Sequence, residues 1–337
     1  MQVAVHAIGD RANAVLLLGN EGDIRDMKGY SKAKGKCERP QVHLLLLFLT
    51  LCCTQQLRGS DFPDSVRAVV EHFKGKIYFA AKNLKTGEAF DFHGDQKVQT
   101  ASVIKVPIMV EVFAQAKEHR FTLQDLMAYT EENRVPGSGI LQDLGQGLHL
   151  TVKDATVLMI VLSDNSATNM LIDRVGVKAV NERMRRLGLS STVLFKKVFR
   201  PATEPLPDEQ KKWGLGVTTP QDMLLLFEKI YRKELVDTES CEQMISILKK
   251  QRDRDQIPRY FFGEKWSKVE VANKTGALDR VRNDVGIVFT PEGDFLLSLF
   301  AQDAEDQKWT PDNEATVAMA RLSEALVTHF RQETRRK

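Results

Sequence analysis

The chain has 337 residues, 42% hydrophobic and 28% charged, which is the make-up of a folded globular protein and excludes a disordered or fibrous one. A formal net charge of +3, with lysines and arginines dispersed along the chain, gives no argument for a nucleic-acid partner. Three of the four cysteines (Cys37, Cys52, Cys53) sit near the start and only Cys241 lies beyond them, so the main part of the chain cannot close an internal disulfide.

The first sixty residues read as processing rather than fold. From Met27 a basic stretch (Lys28, Lys32, Lys34, Lys36, Arg39) precedes an apolar run over 42–51. That is the layout of a secretory signal, and the run is too short to span a bilayer. The expectation is a signal peptide over 27–59 and a secreted or periplasmic product. Residues 1–26 are then an upstream extension from a misassigned start. Around His6 a short stretch is similar to metal-dependent amidohydrolases, but no second ligand cluster accompanies it. Leu49-Thr50-Leu51-Cys52 distantly resembles a lipobox, so a lipid anchor on Cys52 or Cys53 is the one membrane link the sequence offers.

Residues 63–73 carry Val66, Val69, Val70 and Phe73 at helical spacing. Two strands follow, 77–84 and 89–92, joined at Lys85-Thr86-Gly87. A strongly apolar helix is expected over 102–116. Further helices are expected over 123–129, 152–162, 167–175, 177–187 and 220–231. Gly/Pro-rich interruptions fall at 135–140 and over the long stretch 198–219, and loops of that length are often functional. Strands return at 269–274, 285–290 and 295–301, before an amphipathic helix over 310–329 with Asp312 as its expected cap. The pattern is α+β: a five-stranded antiparallel sheet assembled from both ends of the chain, flanked by N- and C-terminal helices, with an all-helical part inserted between.

At the head of the apolar helix Ser102 and Lys105 stand three residues apart, on one face, so the amine can reach the hydroxyl. A desolvated lysine there loses proton affinity and can activate the serine as a nucleophile. The pair alone is weak evidence. Ser-x-x-Lys occurs also at Ser31 and Ser246, and about one match is expected by chance in a chain of this length. Lys-Thr-Gly occurs at 85–87 and at 274–276, the first being a hairpin turn, while Ser163-Asp164-Asn165 occurs once and is a natural helix cap as well. Context separates the copies. Only Ser102 opens an apolar helix, and only Lys274 ends a strand, followed by small Gly276 and Ala277 that let a ligand approach the backbone.

Taken in order, Ser102-x-x-Lys105, Ser163-Asp164-Asn165 and Lys274-Thr275-Gly276 resemble the three signatures of class A serine β-lactamases. The resemblance runs from about residue 62 to 330 and implies one catalytic domain over 60–337. Its sheet part is 60–98 and 265–337, its helical part 99–264, and the site lies between them. It also implies roles: Ser102 as nucleophile, Lys105 as its base, Ser163 as proton donor to the leaving nitrogen, and Lys274 assisting. Asn165 and Thr275 would hold substrate, and the N–H groups of Ser102 and Ala277, beside Gly276, would form the oxyanion hole. The deacylating base it implies is Glu204 of Thr203-Glu204-Pro205, with Glu209 and Asp208 as rivals.

The chain departs from the family pattern in four places, one being Asp208, which replaces the usual asparagine four residues after the glutamate. The 198–219 loop is longer, and Arg200 lacks its aspartate, Gly216 standing where that residue is sought. Val285 takes the place of the carboxylate-binding arginine, leaving Arg280 or Arg282 as substitutes. The implied activity is hydrolysis of β-lactams, conferring resistance, by a monomer that needs no metal or other cofactor. Its seven histidines show no metal-ligand spacing. Two alternatives stand beside it: a penicillin-binding D-alanyl-D-alanine peptidase that deacylates slowly, and a non-catalytic domain that binds cell-wall fragments.

Overall fold

The computed structural model describes residues 62–336, except Glu204 and Glu209. The upstream extension, the signal stretch and the cysteines considered for a lipid anchor lie outside the described residues.

Helix α1 (Asp64–His72) leads into the hairpin of β1 (Lys76–Asn83) and β2 (Ala89–Phe92). Its turn carries Gly87 at φ +79°, a conformation that suits glycine. A short strand, β3 (Val98–Gln99), then enters a 3₁₀ turn (Ala101–Ile104) that runs directly into α2 (Lys105–Lys117). The middle of the chain holds β4 (Leu126–Ala128), β5 (His149–Thr151), α3 (Val152–Val161), α4 (Asn165–Val175) and α5 (Val177–Arg186). It continues through β6 (Val193–Leu194), a single turn α6 (Gln210–Trp213), β7 (Gly216–Thr218), α7 (Pro220–Tyr231) and α8 (Thr238–Leu248). The end of the chain supplies β8 (Glu270–Leu278), β9 (Val281–Phe289), β10 (Phe295–Gln302) and the long helix α9 (Glu314–Arg336).

Five strands form an open antiparallel sheet in the order β2-β1-β10-β9-β8, so the first hairpin joins the last three strands by pairing Lys76 with Gln302. Alternation decides which face each side chain takes. Phe79, Ala81, Val288, Leu297 and Leu299 pack under α1 and α9, together with Val66, Leu322 and Phe330. Ala272, Val285, Ile287, Leu296 and Phe300 point the other way, into a larger core shared with α2, α3, α4, α7 and α8. β10 is buried along its whole length because both faces are covered. Helix α2 is buried over nearly all its length and sits inside that core, where Val106, Ile108, Met109, Val110 and Val112 are fully enclosed and Glu111 pairs with Arg183.

The expected α+β architecture is the one observed, with three local corrections. Residues 123–129 are not a helix: Leu126–Ala128 pairs with His149–Thr151 as a small hairpin that leaves Leu126 65% exposed. The helix Thr238–Leu248 was not among those expected. Asp312 does not cap α9. Asn313 does, accepting from the N–H of Ala315 and Thr316 at 3.0 and 3.2 Å, while Asp312 pairs with Arg259.

Candidate active site

Ser102 lies within the 3₁₀ turn and Lys105 is the first residue of α2. In a 3₁₀ turn residues three apart lie on one face, which puts Ser102 and Lys105 on the same side of the chain, while the Lys105 amine is bonded to Ser163 and Asn165. Ala101, just before the serine, is held at φ +44°, a left-handed conformation that costs an L-residue about 1 kcal/mol and sharpens the turn. The turn is braced from below by the sheet. A Cβ on Gly276 would lie 2.7 Å from the carbonyl oxygen of Thr100 and 3.0 Å from the amide nitrogen of Ser102, so only glycine lets β8 approach so closely.

Ser163 stands between α3 and α4 at φ +55°. The next residue, Asp164, caps α4 by accepting from the N–H of Ala167 at 2.9 Å. Its second oxygen accepts from the N–H groups of Ile140 and Leu141, binding the 135–141 loop to the same corner. Asp164 is therefore the cap of this motif, which leaves its two neighbours free to face the site.

Two buried amines converge on the Ser163 hydroxyl. Lys105 Nζ lies 3.2 Å from Ser163 Oγ and donates to the Ser163 carbonyl at 2.6 Å and to Asn165 Oδ1 at 2.8 Å. Lys274 Nζ lies 3.1 Å from the same Oγ and donates to the Thr275 carbonyl at 2.7 Å. Both lysines are fully buried. Burial, and then the charge of Lys274, push Lys105 well below the usual lysine range. Burial lowers Lys274 to about 8, against the opposing pull of Asp253 and Asp284. The carboxyl of Asp284 is itself pushed up to about 7, by burial above all.

The Asn165 amide is engaged at both ends, its oxygen by Lys105 and its nitrogen by the Pro136 carbonyl at 3.0 Å, which fixes its orientation. Thr275 and Ala277 continue along β8 beside the 3₁₀ turn. Ser102, Lys105, Ser163, Asn165, Lys274, Thr275, Gly276 and Ala277 thus stand on a few short segments that the fold packs together. Glu204 and Glu209 lie outside the described residues, and Asp208 is exposed.

Neither arginine considered for a substrate carboxylate is at liberty. Arg280 donates to the carbonyls of Asp303 and Ala304. Arg282 is 5% exposed and donates to those of Leu278, Val281 and Lys308. Val285 is buried in the core. Among the described residues Arg200 has no aspartate partner: its guanidinium donates to the carbonyls of Glu131, Glu132 and Arg134, pinning the start of the long loop to the 131–134 segment.

Sequence reasoning missed a set of buried amides that hold the site in place. Asn283 on β9 donates to the carbonyls of Gln99 and Thr100 at 2.8 and 3.1 Å and accepts from Gln302 Nε2 at 2.9 Å, tying the entrance of the 3₁₀ turn to the sheet. Asp284 accepts from Asn273 Nδ2 and from the N–H of Ile257, anchoring the 251–257 loop against β8. Three successive polar residues, Arg282, Asn283 and Asp284, inside an otherwise apolar strand were the available signal. Asn283→Ala is expected to lower stability by about 1–3 kcal/mol, since it orphans buried partners. It should also slow reaction at Ser102 by up to about a hundredfold, the scale of a small misplacement. Denaturant midpoints and acylation rates check the two parts separately.

Among the described residues no cluster of three or more His, Cys, Asp or Glu is arranged to hold a metal ion.

The fold, with its serine and lysine motifs at the edge of an open antiparallel sheet, is that of the penicillin-recognising serine hydrolases. The model of the Beta-lactamase enzyme family matches residues 61–330, and the chain belongs to that family. A β-lactamase of Bacillus licheniformis is 25% identical over 261 residues, covering 74% of this chain and 79% of that protein. The solved β-lactamase of Sphaerobacter thermophilus is 31% identical with a TM-score of 0.70, covering 79% of this chain and 95% of its own. The structure of PBP-A is 26% identical with a TM-score of 0.68, over 80% and 95% of the two chains, and a variant of PBP-A has been solved as an acyl-enzyme with penicillin G.

Proposed function

We propose that this protein is a class A serine β-lactamase that opens the lactam ring through an acyl-enzyme on Ser102. The observation that carries the reading is the convergence of two buried lysine amines, Lys105 and Lys274, on one hydroxyl, Ser163, beside the nucleophile turn.

Valence orders the proton movements. As a neutral amine Lys105 has two N–H bonds, which the Ser163 and Asn165 carbonyl oxygens take up, and one lone pair. That lone pair accepts the Ser102 proton as Oγ attacks the lactam carbonyl. The carbonyl oxygen becomes an oxyanion held by the N–H groups of Ser102 and Ala277, donors worth on the order of 3 kcal/mol each in such sites. Lys105 is now an ammonium, and its third N–H points to Ser163 Oγ. With Lys105 and Lys274 filling the acceptor positions of that oxygen, the Ser163 O–H is left to point at the lactam nitrogen. When the C–N bond breaks, Ser163 gives its proton to the nitrogen and takes the one from Lys105, so Lys105 returns to the neutral amine. Lys274 and Thr275 meet the substrate carboxylate, and Asn165 its side-chain amide. Glu204 activates the water that releases the acyl group. The signal stretch at 27–59 sends the protein out of the cytoplasm, to the compartment where β-lactams act and where resistance is conferred.

The second reading, a penicillin-binding peptidase that acylates and holds the adduct, is favoured by the likeness to PBP-A and by the different anchoring of the long loop through Arg200. Mass spectrometry of the protein mixed with penicillin G separates the two. Fast loss of substrate with little adduct supports hydrolysis, a lasting adduct on Ser102 supports the peptidase, and no adduct removes both. Glu204→Gln is expected to convert the first pattern into the second, slowing release by about a hundredfold to ten-thousandfold. Unchanged turnover would move the base to Glu209 or Asp208.

A further inference from the structure

Phe199 is 64% exposed, yet nothing about its backbone is loose. Its φ is +51°, a left-handed conformation costly for an aromatic residue. The residue before it, Val198, is clamped at both ends of its peptide by the buried side chain of Asn169: Val198 N donates to Asn169 Oδ1 at 2.8 Å and its carbonyl accepts from Asn169 Nδ2 at 3.0 Å. The residue after it, Arg200, is fixed to the carbonyls of Glu131, Glu132 and Arg134. A large apolar ring is thus presented to solvent by a strained residue clamped on both flanks, where burying it would have contributed stability.

What the ring faces is given by Gly137. A Cβ on that glycine would lie 2.8 Å from Asn165 Nδ2 and 3.4 Å from the Phe199 ring, so the amide and the ring border the same small space. Glycine keeps that space open between the 135–141 loop and the 198–200 segment.

We propose that Phe199 is a specificity-determining residue, its ring forming one wall of a subsite for the substituent that a substrate carries on its side-chain amide, with aromatic and bulky alkyl groups as the chemistry it takes. The proposal rests on the reading that Asn165 binds that amide. A flat apolar wall beside a fixed amide recognises an acyl group by stacking or edge contact while the amide sets its direction.

The test compares two substrates with one nucleus: penicillin G, which carries a phenylacetyl group, and aminopenicillanic acid, which has a free amine instead. The quantity read is the ratio of their acylation rates in one protein sample. That ratio is independent of how much of the sample is folded. Phe199→Ala is expected to lower the ratio about three- to tenfold, the range an aromatic pair contributes. Phe199→Tyr, which keeps the ring, should restore it. An unchanged ratio in Phe199→Ala overturns the proposal and leaves the β-lactamase reading standing. If the wild-type protein is acylated by neither compound, that reading falls and the subsite falls with it.

Discussion

A Ser102→Ala protein mixed with penicillin G is expected to keep its native mass indefinitely and to lose turnover by about a million-fold, the cost seen when a serine hydrolase loses its nucleophile. The expectation follows from how the turn is built. Ser102 sits between a left-handed Ala101 and the buried Lys105, and Gly276 brings β8 against its amide nitrogen. Among the described residues Ser163 carries the side-chain hydroxyl that the amines of Lys105 and Lys274 contact. The substitution removes one half-buried hydroxyl and leaves the backbone turn intact, so the unfolding midpoint should move by less than about 1 kcal/mol. Intact-protein mass spectrometry and a chromogenic lactam measure the two effects. An adduct persisting in Ser102→Ala would place the nucleophile elsewhere, with Ser163 the first residue to test.

Lys105→Met carries the second large effect. The replacement is one atom shorter but keeps an unbranched apolar stem in the buried slot; on the proposed mechanism it removes the base, and acylation should fall by about a hundredfold to ten-thousandfold. The pH profile makes the assignment specific. On the proposed mechanism Lys105 serves as a neutral amine, so the wild-type rate should rise with pH through its lowered titration. On the same mechanism Lys274 meets a substrate carboxylate as an ammonium, so the rate should fall again as pH passes about 8. In Lys105→Met the rising limb should vanish while the fall near 8 persists. A rising limb of unchanged position in the variant would show that another group is the base, even if the rate itself dropped.

Much of this was legible in the sequence because it is local. The apolar run after Ser102, the short apolar strands near both ends of the folded part and the three motifs each announce themselves within about ten residues, the span over which periodicity and spacing act. What escaped has no such local sign. Residues 123–129 offered apolar positions at a passable helical period, but pairing with His149–Thr151 decided their conformation. The cap of α9 was sought one residue early because Asp and Asn are equivalent as caps in sequence, and Arg259, distant in the chain, had taken the aspartate. Arg280 and Arg282 stood as substitutes for a carboxylate-binding arginine, and no local sign showed that both donate to backbone carbonyls. Asn169, Asn283 and Asp284 act by gripping segments far away in sequence, and Phe199 matters through where its neighbours hold it.

The pairing of β1 with β10 also has a bearing on when such a protein becomes active. Gln99 and Thr100, which lead into the nucleophile turn, are gripped by Asn283 and reached by Gln302, and both of these belong to the last strands made. Contacts between such distant parts of a chain form late and slowly in folding. An emerging polypeptide carries Ser102 and Lys105 early, yet the strands that shape their surroundings, β9 and β10, arrive far later in the chain. The order of the strands thus makes synthesis of β9 and β10 a precondition for a finished Ser102 turn.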